Sequence, residues 1–112
     1  TGKPVLMVFS GSDWCKPCIM LRGNVFVQDG FSEWAKNNVV CVCLDFPAQK
    51  KKRLPQVLQE QNESLAERFN PNGIFPLVVL LNSNETVLGS LGYLDVAPVE
   101  YIKEIEKITN KQ

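Results

Sequence analysis

The sequence contains no histidine. That removes Ser–His and Cys–His catalysis and every histidine-containing metal site. It also lacks net charge, with 12 Lys+Arg against 12 Asp+Glu. A balanced surface gives no reason to expect nucleic acid or a charged membrane surface as a partner. No apolar run approaches the ~18 residues that suggest a membrane span. There is no initiator methionine and no signal peptide. Thr1-Gly2-Lys3-Pro4 reads as a mature or excised start, so the residues do not reveal the compartment. Repeats and low-complexity segments are absent as well. What is present is 112 residues, 45% of them apolar, which suits one domain over 1–112 with its own core.

Cysteine is scarce, at 4 residues, and its placement is informative. Cys15 and Cys18 have two residues between them, Lys16 and Pro17. The apolar run Val5-Leu6-Met7-Val8-Phe9 precedes them and is closed by Ser10-Gly11-Ser12, which reads as a buried strand ending in a turn. Ile19-Met20-Leu21-Arg22 then reads as a helix, with Pro17 in its first turn, where a missing N–H costs little. Cys15 is therefore expected at a helix N-terminus. Unpaired N–H groups and the helix dipole favour an anion there, so its thiol is expected to ionise below the free-cysteine range. Cys18 falls one turn later on the same face, within reach of a mixed disulfide formed by Cys15. A CxxC can also be half a zinc site or a structural disulfide. The preceding strand, Trp14 before the first cysteine and Pro17 between the two favour a dithiol that cycles to a disulfide.

Along the chain, the helix after Cys18 is expected to run to about Val27, broken or kinked at Gly23. Ile19, Leu21, Val25 and Phe26 would pack on the sheet. Asp29-Gly30 reads as a turn and Phe31–Lys36 as a short helix, with Phe31 and Trp34 on one face. Val39–Leu44 reads as a buried strand. Alternation puts Cys41, Cys43 and Asp45 on one of its faces. Residues i and i+2 of a strand lie about 6.5–7 Å apart, too far for easy disulfide geometry. Both cysteines are thus expected reduced and buried as small hydrophobes, unless one faces the back of the CxxC. Lys50-Lys51-Lys52-Arg53 reads as a solvated loop, or as a steering patch for an acidic partner. Gln56–Phe69 reads as a helix with Leu58, Leu65, Ala66 and Phe69 inward, and Gln59, Gln61 and Asn62 in water. Ile74–Leu81 is a further apolar strand interrupted by Pro76, which cannot donate a ladder bond. Thr86–Leu91 is the last strand, antiparallel and at an edge. The final helix is expected to be capped by Asp95, with Val99, Ile102, Ile105 and Ile108 forming its apolar face.

Trp14-Cys15-Lys16-Pro17-Cys18 after a strand resembles the active site of the thioredoxin superfamily. Phe75-Pro76 is similar to that family's cis-proline, and Gly92-Tyr93 to its glycine-containing turn. Gly11-Ser12-Asp13-Trp14-Cys15, with Asp45-Phe46-Pro47 and a Gln/Asn-rich helix, resembles bacterial envelope thiol:disulfide reductases of the DsbH and DsbD C-terminal-domain types. The resemblance implies an α/β thioredoxin fold: a central mixed four-stranded sheet in the order β-α-β-α-β-β-α, flanked by helices. It implies that Cys15 and Cys18 are catalytic, with Asp13, Trp14, Lys16 and Pro17 as neighbours and Phe75, Pro76 and Gly92 binding substrate. No metal or organic cofactor is expected beyond the Cys15–Cys18 disulfide. The expected partners are protein disulfides and a separate thiol electron donor. A monomer is expected, extracytoplasmic by resemblance, with the cytoplasm as the alternative.

The function so implied is reduction or isomerisation of protein disulfides. The family's oxidases often place a histidine between the cysteines, where this chain has Lys16-Pro17. The alternatives are a disulfide oxidase, a redox-sensitive binding module and a metal protein using all four cysteines. Many thioredoxins carry a buried Asp near the end of the first strand, and counting back from Cys15 puts Phe9 in its place.

Overall fold

A computed structural model describes residues 2–48 and 54–110. The chain runs β1 (Val5–Ser10), α1 (Lys16–Leu21), a π-helical segment (Arg22–Phe26), α2 (Asp29–Asn38) and β2 (Val40–Asp45). It continues α3 (Gln56–Phe69), β3 (Leu77–Leu81), β4 (Val87–Leu91) and α4 (Pro98–Thr109). The four strands form one sheet ordered β2-β1-β3-β4. β1 pairs with β2 in parallel and with β3 antiparallel, and β3 pairs antiparallel with β4. The basic run Lys50–Arg53 lies outside the described residues.

A strand sends alternate side chains to opposite faces, and both faces of β1 are covered. Leu6 and Val8 join Leu21, Val25, Phe31, Tyr101 and Ile105 on one side. Met7 and Phe9 join Leu44, Val79 and Leu81 on the other, under Leu65, Ala66 and Phe69 of α3. This two-sided burial explains the unbroken apolar run and makes β1 the rigid base from which the CxxC projects. The helix after Cys18 loosens at Arg22–Phe26, the segment that contains Gly23, as that glycine suggested.

Several surface assignments change. Ile19 and Val99 are 53% and 55% exposed, because each sits on the outer face of its helix. Tyr101 takes the inward place on α4, and its hydroxyl donates to the Gly92 carbonyl at 3.0 Å. Leu58 lies at the margin of the α3 stripe and is exposed. Asn62 is buried rather than solvated: its Nδ2 donates to the Asp45 carbonyl at 3.1 Å, tying α3 to the end of β2. Asp95 does not cap α4, whose N-cap is Ala97 with no side-chain bond.

The largest change is at β2. It lies at the sheet edge, and Cys41 and Cys43 are free and exposed. They register with Leu6 and Val8 and so share the face of those residues. The helices cover β1 and stop short of the sheet margin, which leaves an apolar cavity of about 350 Å³ beside the two thiols.

Candidate active site

β1 ends at Ser10, and a turn carries the chain to Cys15, the N-cap of α1. The Cys15 N–H donates to the Gly11 carbonyl at 3.0 Å, closing the turn. Cys15 and Cys18 are joined as a disulfide, with Cα atoms 5.2 Å apart. The Cys18 N–H also donates to Cys15 Sγ at 3.3 Å. A helix start thus places one of its otherwise unpartnered N–H groups on the sulfur of the first cysteine. Both residues are almost wholly buried, Cys15 at 5% and Cys18 at 3% exposure.

The turn is stapled to the last residue of β2 and to the segment that follows it. The Ser12 N–H and hydroxyl donate to the two Asp45 carboxylate oxygens at 3.0 and 2.6 Å. Asp13 Oδ1 accepts from the Ala48 N–H at 2.8 Å, so this carboxylate is tied to backbone and only partly exposed. The Trp14 indole N–H donates to the Phe46 carbonyl at 2.7 Å. The Trp14 and Phe46 rings both meet Phe75 edge-on, with centroids 5.3 and 5.4 Å away. Gly11 makes this seat possible, because a Cβ there would collide with the Trp14 indole.

The Phe75–Pro76 peptide bond is cis. Pro76 lines a cavity of about 370 Å³ with Cys18, Val8, Arg22, Cys43 and Asp45. Gly92 abuts the backbone carbonyl of Pro76, which lies 3.9 Å from where a Cβ would be. The structure therefore brings together Cys15, Cys18, Trp14, Phe75 and Pro76, with Gly92 beside Pro76. Lys16 and Pro17 are exposed on the first turn of α1. Trp14, Ile19 and Ile74 leave about half of their surface to solvent around the disulfide.

Phe9 does not face Cys18. Its ring is fully buried on the opposite side of the sheet, near Phe46. Val8 lines the Cys18 cavity instead, because adjacent strand residues alternate faces and the turn length shifts the count. Cys43 lines that cavity too, whereas Cys41 lines the apolar one further along β2. Sequence reasoning assigned no role to Ser12, Asp45 or Phe46. The nearest signal was Asp45-Phe46-Pro47 at the end of an apolar run, a place where loop residues can fold back on a neighbouring turn.

A mixed sheet in this order, with a CxxC disulfide at the β1–α1 junction, is the thioredoxin fold. Residues 1–109 match the family model described as Thioredoxin-like domain, and the chain belongs to that family. Among curated proteins it is similar to "Disulfide bond reductase DsbH" of Chlamydia pneumoniae, at 26% identity over 104 residues, covering 93% of this chain and 61% of that protein. It is also similar to "Thioredoxin-related protein DsbJ" of the same organism, at 33% identity over 91 residues, covering 80% of this chain and 25% of that protein. The chain thus spans about three fifths of one relative's length and a quarter of the other's. A solved "DsbH Oxidoreductase" superposes with a TM-score of 0.90 at 22% identity, covering 99% of this chain and 75% of the other. That likeness is one of fold.

Proposed function

We propose that the chain is a thiol–disulfide oxidoreductase that reduces protein disulfides outside the cytoplasm. The observation that carries this reading is the Cys15–Cys18 disulfide at the helix start, with the Cys18 N–H directed at Cys15 Sγ. In the reduced protein the same N–H stabilises a Cys15 thiolate, the form that acts as nucleophile. Cys15 attacks one sulfur of a substrate disulfide, and a mixed disulfide forms as the first substrate thiolate leaves. The Cys18 thiolate then attacks Cys15 Sγ, releasing the second substrate thiolate and closing Cys15–Cys18. Two electrons pass to the substrate, so a separate thiol donor must return two to the protein.

Substrate docking follows from the surface around the disulfide. Trp14, Phe75 and the exposed Ile19 and Ile74 offer an apolar rim. The backbone flanking Pro76, with Gly92 alongside, offers partners for an extended segment. Asp13 and Lys16 border this surface, and Pro17 stiffens it. A single chain supplies all of these groups, and a monomer suffices.

The reductive direction is supported by Lys16-Pro17 between the cysteines, and by the name of the DsbH relative, a disulfide bond reductase. The resemblance of Gly11-Ser12-Asp13-Trp14-Cys15 and Asp45-Phe46-Pro47 to bacterial envelope reductases supports the extracytoplasmic setting. The reduction potential of the Cys15/Cys18 pair, measured in glutathione buffers with Cys41 and Cys43 replaced by Ala, tests the proposal. A value near about −250 mV or lower is expected. A value near about −130 mV would make the protein an oxidase, and the lack of any reversible two-electron couple would end the enzyme reading.

A further inference from the structure

The second cysteine pair is not used by the proposed reaction. Cys41 and Cys43 register with Leu6 and Val8 and project from one face of β2. Both are free and exposed at the edge of the sheet. Successive same-face positions of a strand lie about 6.5–7 Å apart, beyond the usual span of a disulfide. An ion held between two sulfurs bridges a separation that a direct S–S bond does not.

The surroundings select the kind of ion. Both thiols line the same cavity, whose walls are Leu6, Val8, Phe31, Ala35 and Val39, with Lys36 at its rim. Among the described residues no third His, Cys, Asp or Glu joins them in a cluster that could hold a metal. Two sulfur ligands in apolar surroundings do not meet the four-ligand demand of zinc or the oxygen preference of calcium and magnesium. They suit a soft, monovalent ion that accepts two thiolates, of which Cu(I) is the example. A bis-thiolate complex of such an ion is a net anion. Lys36 lines the cavity, and Arg22 lines the neighbouring one together with Cys43.

We propose that Cys41 and Cys43 form a two-sulfur clamp for one Cu(I) ion, on the edge strand and separate from the Cys15–Cys18 disulfide. Binding converts Cu(I) and two thiols into a copper bis-thiolate and releases two protons. No electron moves, so no oxidant or reductant is consumed.

The test titrates the full chain, as the Cys15→Ser/Cys18→Ser double variant, with Cu(I) held by bicinchoninate under argon. One copper per chain is expected to pass from the chromophore to the protein. Cys41→Ser and Cys43→Ser, each added to that background, are expected to weaken retention at least about ten-fold, which is about 1.4 kcal/mol. Circular dichroism of each variant confirms that the fold is intact. Failure of the parent to compete, or equal retention by either single-thiol variant, would overturn the clamp. So would one copper per two chains with dimerisation, which would place the ion between molecules. Zinc retained through gel filtration would also overturn it, because zinc requires ligands beyond these two.

Discussion

The two cysteine pairs differ by one residue of spacing and by the element that carries them. Cys15 and Cys18 straddle the first turn of a helix, which brings their Cα atoms to 5.2 Å and joins their sulfurs. Cys41 and Cys43 lie on one face of an extended strand, and their thiols stay free. Burial runs opposite to reactivity. The bonded pair is almost wholly enclosed, while the free pair stands at the sheet margin. Backbone geometry, more than exposure, decides which pair closes into a disulfide.

The sharpest way to break this contrast is to exchange single sulfurs. Cys15→Ser should lower insulin-reduction turnover to the uncatalysed background, a loss of roughly a thousand-fold or more, since it removes the nucleophile. Cys18→Ser should accumulate mixed disulfide, visible by mass spectrometry. Cys41→Ser and Cys43→Ser should leave turnover within about two-fold, as expected of residues that touch no reacting atom. Loss of turnover in either would join the two pairs into one machine.

Reducing the disulfide gives the next largest effect. A closed loop of four residues stabilises the folded state by about 2 kcal/mol through chain entropy. Urea unfolding should show the oxidised form to be more stable by about that amount. The reverse order would mark a strong oxidant, whose reduced form is the stabilised one. Asp45→Asn should be milder. It weakens the two bonds from Ser12, at a cost near about 1 kcal/mol for a solvent-facing site. Its effect should fall on the CxxC turn and leave Cys41 and Cys43 unchanged, despite their place on the same strand.

The smallest effect concerns pH. Although both strand thiols are exposed, the apolar sheet face beside them desolvates them in part and raises both above the ordinary range. The thiolate is the nucleophile, so at a given pH less of it is present. In the Cys15→Ser/Cys18→Ser protein, iodoacetamide should react a few-fold more slowly than with a free cysteine at pH 8. The rate should rise with pH from 7 to 9 and still be climbing where a free thiol levels off. Cys43→Ser should speed Cys41 modestly by removing the neighbouring charge.

The sequence announces what depends on local chemistry. The CxxC after a strand, Pro17 in the first helical turn and the break near Gly23 all follow from residues close together in the chain. The edge position of β2 does not. Val39–Leu44 is as apolar as β1, and only the order of strands tells which run is covered on both sides. Asn62 looked solvated because its partner, the Asp45 carbonyl, is 17 residues away. Val8 was passed over for Phe9 because counting along a chain ignores the length of a turn. Ser12, Asp45 and Phe46 were missed for a related reason: the bonds that lock the CxxC turn cross more than 30 positions.

The seat of Trp14 also constrains how this protein can change by inheritance. A Cβ at position 11 would occupy the space of the indole, so while Trp14 holds its place only glycine fits there. Position 11 becomes permissive once the ring at position 14 has moved away or been lost. The two sites are epistatic: descendants that lose the tryptophan are free to lose the glycine, whereas the reverse order first displaces the indole from its seat.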